Sequence, residues 1–187
     1  MNPGAAPQST PGLDRRTLLK VGWAGAAMVA LGGVGLGFMP SELRMPRRRL
    51  KLLSVNEFSV LAAMADRFHP GGTGLPSAWD LEVPERVDEL LWTLHPADGR
   101  ELPKALLLVE NGLAGALLDG RFSTFTRASA DQQDEALHRM RVSPLHTRRM
   151  IYTAVKGLTT AVYWGDPRVY AHTGYPGPPN FGQRAAP

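Results

Sequence analysis

Cysteine is absent from this sequence. Its absence excludes disulfides, thiolate-held iron–sulfur clusters, cysteine-based zinc sites and haem attached through Cys-x-x-Cys-His. It leaves the compartment open, because a chain without disulfides tolerates either side of a membrane. The glycine-rich dinucleotide fingerprint, the Walker phosphate loop and the His-Glu-x-x-His zinc motif are missing as well. The chain therefore shows no motif of a cofactor-dependent or metal-dependent enzyme.

Histidine is scarce, and no two histidines lie four residues apart. His69 and His95 each precede a proline at a predicted helix end, where a capping role is favoured. We therefore predict that this chain is not an enzyme and has no catalytic, cofactor-binding or metal-binding residue. One alternative stays open: a stand-alone ligand- or metal-binding domain in which folding gathers His69, His138, His146 and His172.

Positive charge is concentrated in the first quarter of the chain. Residues 1–51 contain eight Lys/Arg and two Asp/Glu, whereas residues 52–187 contain thirteen and fifteen. The body is thus slightly acidic and has no basic stripe that would follow a phosphate backbone. We predict no nucleic-acid partner.

The N-terminal segment resembles an export signal. Residues 1–12 are polar and rich in Gly and Pro, which predicts disorder. Residues 13–51 form a predicted signal and basic linker. Their motif "DRRTLLK" resembles the twin-arginine signal, an address read by the twin-arginine translocase. Its predicted determinants are Arg15, Arg16, Leu18, Leu19 and Lys20.

An apolar run of eighteen residues follows, from Val21 to Phe38. It contains six glycines and four alanines, so it is a weaker helix and a weaker anchor than an ordinary membrane span. The five basic residues within Arg44–Lys51 oppose the general secretory route and fit the twin-arginine route, which passes folded cargo.

Cleavage of this signal is an open question in the sequence. No Ala-x-Ala-like site follows Phe38. Eighteen helical residues span roughly 27 Å, close to the ~30 Å hydrocarbon core. We expect a periplasmic protein, and an uncleaved signal that tethers it to the inner membrane stays an alternative. A plain anchor whose two arginines are incidental is the other.

Residues 52–172 predict an all-α fold, a small bundle of about five helices. Ser54 with Glu57, and Ser129 with Gln132, have the spacing of capping boxes. No segment alternates apolar and polar residues as a half-buried strand does. Helices are predicted to begin near Ser54, Pro84, Leu102, Ala130 and Leu145. A short helical turn is predicted to begin at Asp166-Pro167.

The apolar spacing also predicts which faces are buried. The first helix shows one stripe, from Val55 to Phe68. Leu107 and Leu108 widen the stripe of the third helix, which predicts burial on two sides. Ile151, Ala154, Val155, Leu158, Ala161 and Val162 form the stripe of the last long helix. Asp88 and Glu89 are expected on a solvated face.

The C-terminal tail, residues 173–187, is rich in Gly and Pro and is predicted to be non-helical. Two alternatives stay open for it. The tail is either a disordered end or an arm laid over the domain or a partner, with Tyr175 and Phe181 as anchors.

Three stretches in this order resemble the gluconate 2-dehydrogenase subunit 3 family. They are "LLSVNEFSVLAAMADRFHPGG", "ADQQDEALHRM" and "TAVYWGDPRVYAHTGYPGPP". The resemblance covers about residues 52–179 and follows a twin-arginine leader. It implies a small non-catalytic subunit whose partner is a large flavoprotein of the glucose–methanol–choline (GMC) oxidoreductase type, often with a cytochrome c subunit.

The resemblance further implies a division of labour. FAD, and haem c where a cytochrome is present, would belong to the partner subunits. The small subunit would supply the export signal and aid maturation of the flavoprotein. The alternative is a membrane-anchored adaptor of another exported redox enzyme.

Aromatic residues are the predicted contacts with that partner, because Trp and Tyr dominate binding hot spots. Trp92 is a further candidate contact, although its place beside a leucine stripe favours the core. The predicted contacts are Trp79, Tyr163, Trp164, Tyr170, Tyr175 and Pro176.

Overall fold

A computed structural model describes most of the body of the chain. The described residues are 41–93, 100–111, 115, 120 and 123–177. The twin-arginine motif, the apolar run, His95 and most of the tail lie outside them. No described helix is both long enough and apolar enough to span a bilayer.

Six helices and no strand occur in the described ranges. The all-α prediction is confirmed for this part of the chain, and the predicted short turn is the sixth helix. In chain order the helices are α1 Val55–Phe68, α2 Val83–Thr93, α3 Glu101–Glu110, α4 Ala130–Arg141, α5 His146–Trp164 and α6 Pro167–Thr173.

Both predicted capping boxes are present. The Ser54 hydroxyl accepts the Glu57 N–H at 3.4 Å, and the Glu57 carboxylate accepts the Ser54 N–H at 2.7 Å. Ser129 and Gln132 repeat the arrangement at 3.4 and 3.1 Å. Each box satisfies backbone N–H groups that a helix start leaves without partners, which explains where α1 and α4 begin.

Helix α1 is the central element of the bundle, and it packs against α2, α3, α4 and α5. All of its residues from Phe58 to Ala65 are buried. The predicted apolar stripe is thus buried or partly buried, but burial extends around the helix beyond it, because neighbours surround this helix. Alanine and serine within this stretch let those neighbours approach closely, and the buried Ser59 hydroxyl bonds the Val55 carbonyl at 2.7 Å.

Helix α3 lies at the edge of the bundle and packs mainly on α1. It ends at Glu110 with Asn111 as its C-cap, and most of the predicted continuation through Leu117 lies outside the described residues. Leu107 and Leu108 are 47% and 48% exposed. The predicted burial on two sides is thus wrong, since α1 covers only one face.

Helix α5 buries a narrow line of residues four apart: Ile151, Val155, Thr159 and Tyr163. Ala154 and Ala161, which were expected within the buried stripe, are exposed. Thr159 is accommodated because its hydroxyl donates to the Val155 carbonyl at 2.9 Å.

The basic segment before α1 lies on the folded domain. We call residues 42–53 the strap. Asp88 of α2, expected on a solvated face, is 1% exposed and accepts the backbone N–H groups of three strap residues. The prediction for Asp88 is therefore wrong: one turn of α2 presents this carboxylate to the strap, whereas the adjacent Glu89 is half-exposed.

Candidate partner-binding surface

An apolar groove separates α3 from α5. Both helices pack on α1. The groove between them has a volume of about 470 Å³. Leu91, Leu102 and Ile151 are its buried members, and Leu108 and Met150 are half-exposed at 48% and 56%. Such a groove suits the apolar face of a partner helix.

Further apolar side chains are exposed on α2 and α3. Leu107 on α3 is 47% exposed and Trp92 at the end of α2 is 60% exposed. The expectation that Trp92 is core is wrong. Val87 and Leu91 carry the apolar buried face of α2, whereas Trp92 lies in its last turn, four residues after Asp88, the residue that the strap covers.

Sequence reasoning missed this groove, although one signal was present. Leu106, Leu107 and Leu108 are consecutive, and a helix on the edge of a bundle can bury only part of such a run. Here Leu106 is fully buried and the other two face outward.

Tyr163 is not available on the surface. It is 3% exposed, its hydroxyl donates to the Pro76 carbonyl at 2.7 Å, and burial raises its pKa. Its ring stacks on His69 with 4.3 Å between centroids. The expectation that it is an exposed contact is wrong, because it closes the core between α5 and the loop after α1.

His69 caps α1, as expected from its place before Pro70. Its Nε2 lies 3.3 Å from the Thr160 hydroxyl, and burial lowers its pKa. It therefore joins the end of α1 to α5. Among the described residues, no three or more His, Asp or Glu side chains form a group able to hold a metal ion.

Trp79 is partly buried against the core rather than free. The guanidinium groups of Arg47 and Arg44 lie 4.9 and 5.7 Å from its ring centroid. Phe58 approaches it at 6.4 Å. Its ring therefore holds the strap to the domain through cation–π contacts.

The remaining predicted contacts lie between residues 164 and 176, near the C-terminal end of the described chain. Trp164 and Tyr175 are 46% and 49% exposed, and Pro176 is exposed. Tyr170 lies edge-on to Tyr175 at 5.1 Å and donates its hydroxyl to the Gly165 carbonyl at 3.0 Å. None of these residues lines the groove.

Asp166 joins three parts of the fold. Its side chain, 2% exposed, caps α6 by accepting the Arg168 N–H at 2.9 Å. It also accepts the guanidinium groups of Arg168 at 2.8 Å and of Arg86, on α2, at 2.5 Å. Hydrogen bonding to Arg168 lowers the pKa of Asp166 to about 2, against the opposing effect of burial.

The comparisons with known proteins concern the helical domain. The family model described as gluconate 2-dehydrogenase subunit 3 matches residues 55–177. No curated protein and no solved structure matches the chain. The match runs from the first residue of α1 to the last described residue of the tail.

Proposed function

Because the chain belongs to the gluconate 2-dehydrogenase subunit 3 family, we propose that it escorts a large flavin-dependent dehydrogenase subunit across the inner membrane. The family is an accessory subunit of a dehydrogenase complex. The observation that carries the proposal is the match over the whole helical domain. The twin-arginine motif with Arg15 and Arg16, which lies upstream of that domain, supports an export role.

In this proposal the redox chemistry belongs to the partners. The large GMC-type subunit binds FAD, a cytochrome c subunit carries haem where one is present, and this chain binds neither. It supplies the signal read by the twin-arginine translocase and aids maturation of the flavoprotein. The complex then works in the periplasm, and an uncleaved apolar run would tether it to the inner membrane.

The export role is tested with this chain and the large subunit expressed together. Changing Arg15 and Arg16 to Lys keeps the charge and removes the paired guanidinium groups. We expect the large subunit to accumulate in the cytoplasm with its flavin bound. The proposal fails if the large subunit still reaches the periplasm in that variant, or if it is exported when this chain is absent.

We further propose that the groove between α3 and α5 receives an apolar helix of the large subunit. The support is its apolar lining and the neutral character of its rim, where Glu101 and Lys104 pair with each other at 2.8 Å. An uncharged apolar stripe enters such a groove without leaving a buried charge unpaired.

Single charges placed in the groove test this contact. Leu108→Glu and Met150→Glu each put a carboxylate on the groove wall, and we expect a tenfold or greater loss of affinity, about 1.4 kcal/mol. Val142→Glu is the matched control, because Val142 is 59% exposed and does not line the groove. Affinity is measured by titrating the purified large subunit. Equal affinities for all three variants would place the contact elsewhere.

A further inference from the structure

Buried side chains of the domain hold the strap through hydrogen bonds to its backbone. Asp88 is the clearest case. Its Oδ1 accepts the N–H groups of Leu52 and Leu53 at 3.0 and 2.7 Å, and its Oδ2 accepts that of Lys51 at 2.6 Å. A buried carboxylate is costly unless hydrogen-bonded. Here the strap supplies three of those bonds, so the strap and this position of α2 stabilise each other.

Two more backbone groups of the strap are bound in the same way. Glu85, 3% exposed, accepts the Arg47 N–H at 3.0 Å. Ser59, fully buried on α1, accepts the Arg44 N–H at 2.8 Å. The strap thus spans the junction of α1 and α2 and bonds to both helices.

The N-terminal end of the strap depends on a third part of the fold. The Glu42 N–H donates to the Thr126 hydroxyl at 2.9 Å. That hydroxyl in turn donates to the carboxylate of Glu110, at the end of α3, at 2.6 Å, and Glu110 also accepts the Thr126 N–H at 2.9 Å. The acceptor for Glu42 is therefore in place only when α3 and the segment before α4 have come together.

Ion pairs add to this docking but do not determine it. Arg44 pairs with Asp66, Arg48 with Glu82, and the Lys51 ammonium lies 3.5 Å from the Glu89 carboxylate. These side chains are partly exposed, and such pairs contribute little. The bonds from strap backbone to buried side chains give the strap its fixed path.

We propose that the strap makes presentation of the export leader conditional on a folded domain. Its acceptors come from α1, α2 and the pair formed by α3 and Thr126, so it docks only when these elements are assembled. Docking fixes the point beside Thr126 from which the chain runs towards its N-terminus. In an unassembled domain these acceptors are not in place, the strap is released, and we expect export of the complex to fall. The inference rests on the proposed export role.

The first test compares two carboxylates that are adjacent in sequence on α2. Asp88→Asn leaves one acceptor oxygen and turns an NH₂ group towards a backbone donor. Glu89→Gln, the matched control, removes only a half-exposed charge. Hydrogen exchange is followed by mass spectrometry on the full-length chain in complex with its large subunit. We expect at least one of the backbone amides of Lys51, Leu52 and Leu53, the one that the NH₂ group now faces, to exchange roughly 10- to 100-fold faster in the Asn variant.

The exchange of α5 amides in the same samples reports on the domain itself. We expect it to be unchanged in both variants. Glu85→Gln, which weakens the bond to Arg47, is the second variant in case the first fails to fold. Loss of α5 protection in both Asp88→Asn and Glu85→Gln would mean that these carboxylates hold the domain rather than the strap, and it would overturn the proposal.

The second test measures the ratio of periplasmic to cytoplasmic large subunit in cells. A severalfold fall with Asp88→Asn, and none with Glu89→Gln, supports the strap. Unchanged export from a variant with a released strap overturns it. The variant with Arg15 and Arg16 changed to Lys is the reference. If this variant blocks export while release of the strap does not, the strap proposal fails and the export role stands. If neither change affects export, the export role fails.

Discussion

Asp166 allows the sharpest test of how the structure is held together. The perturbation is a pair of substitutions. Asp166→Asn removes the charge that Arg86 and Arg168 contact but keeps an oxygen that can cap α6. Asp166→Ala removes both the charge and the cap.

The magnitude follows from the pKa of this carboxyl. A group whose pKa falls from its ordinary 3.8 to about 2 on folding stabilises the folded state by roughly 2 kcal/mol at neutral pH. Asp166→Asn should lose that amount. Asp166→Ala should lose about 1 kcal/mol more, because the first turn of α6 also loses its cap.

The stabilisation by Asp166 should depend on pH. Because the folded pKa of Asp166 is depressed, its contribution is complete above the ordinary pKa and is lost as the pH falls from about 4 to about 2. Urea unfolding of the full-length chain, followed by circular dichroism, measures the free energy of unfolding. The difference between wild type and Asp166→Asn should therefore close over that interval.

A carboxylate on the surface is the control. Glu135, which pairs with Arg139 at 2.6 Å on the exposed face of α4, is changed to Gln, and we expect only a small pH-dependent difference, because solvent screens this exposed pair. A difference between wild type and Asp166→Asn that is below 0.5 kcal/mol, on the order of a surface pair, or that persists unchanged at pH 2, would refute the argument.

Three further predictions use the same unfolding assay. The His69→Gln variant should lose less stability than wild type as the pH falls from 7 to 5. Burial lowers the pKa of His69, so wild type loses the stabilisation from neutral His69 as the pH falls below the ordinary value of 6.5. Equal dependence of the unfolding free energy on pH in both proteins would contradict this. Leu61→Ala should cost about 2–5 kcal/mol by opening a cavity beside α1; a smaller loss would indicate that the core collapses around the site. Gly71→Ala should destabilise the protein by about 1 kcal/mol or more, since the φ of Gly71 is +78° and a Cβ there would lie 2.9 Å from the Ser77 nitrogen. Gly157→Ala on α5, where a Cβ meets open space, should stabilise it by up to about 1 kcal/mol. A Gly71→Ala variant more stable than the Gly157→Ala variant would contradict this prediction.

Local signals in the sequence were enough to place three helix starts. Ser54 and Ser129 cap helices because the groups that satisfy the free N–H groups lie within three residues, and Asp166 with Pro167 starts α6 for the same reason. Two of the predicted contacts, Trp164 and Tyr175, are exposed as a contact residue must be, and their role at an interface stays a prediction.

Burial depended on neighbours that no local signal names. Trp92 and Leu107 were placed in the core because they adjoin leucine stripes, yet α2 and α3 each turn one face outward. Tyr163 was placed on the surface, but stacking on His69 and the bond to Pro76 draw it inward. The groove was not predicted either, because it exists only where two helices that share α1 as a neighbour stand apart.

The sequence by itself determined the all-helical class, the helix starts and the family, since each depends on residue order and on contacts a few positions long. Only the tertiary structure decided that the strap is part of the folded domain. The sequence predicts that Asp88 lies on a solvated face. In the structure it is a buried acceptor, because residues 35 to 37 positions earlier in the chain donate their N–H groups to it. Contacts across such separations are fixed by how helices assemble.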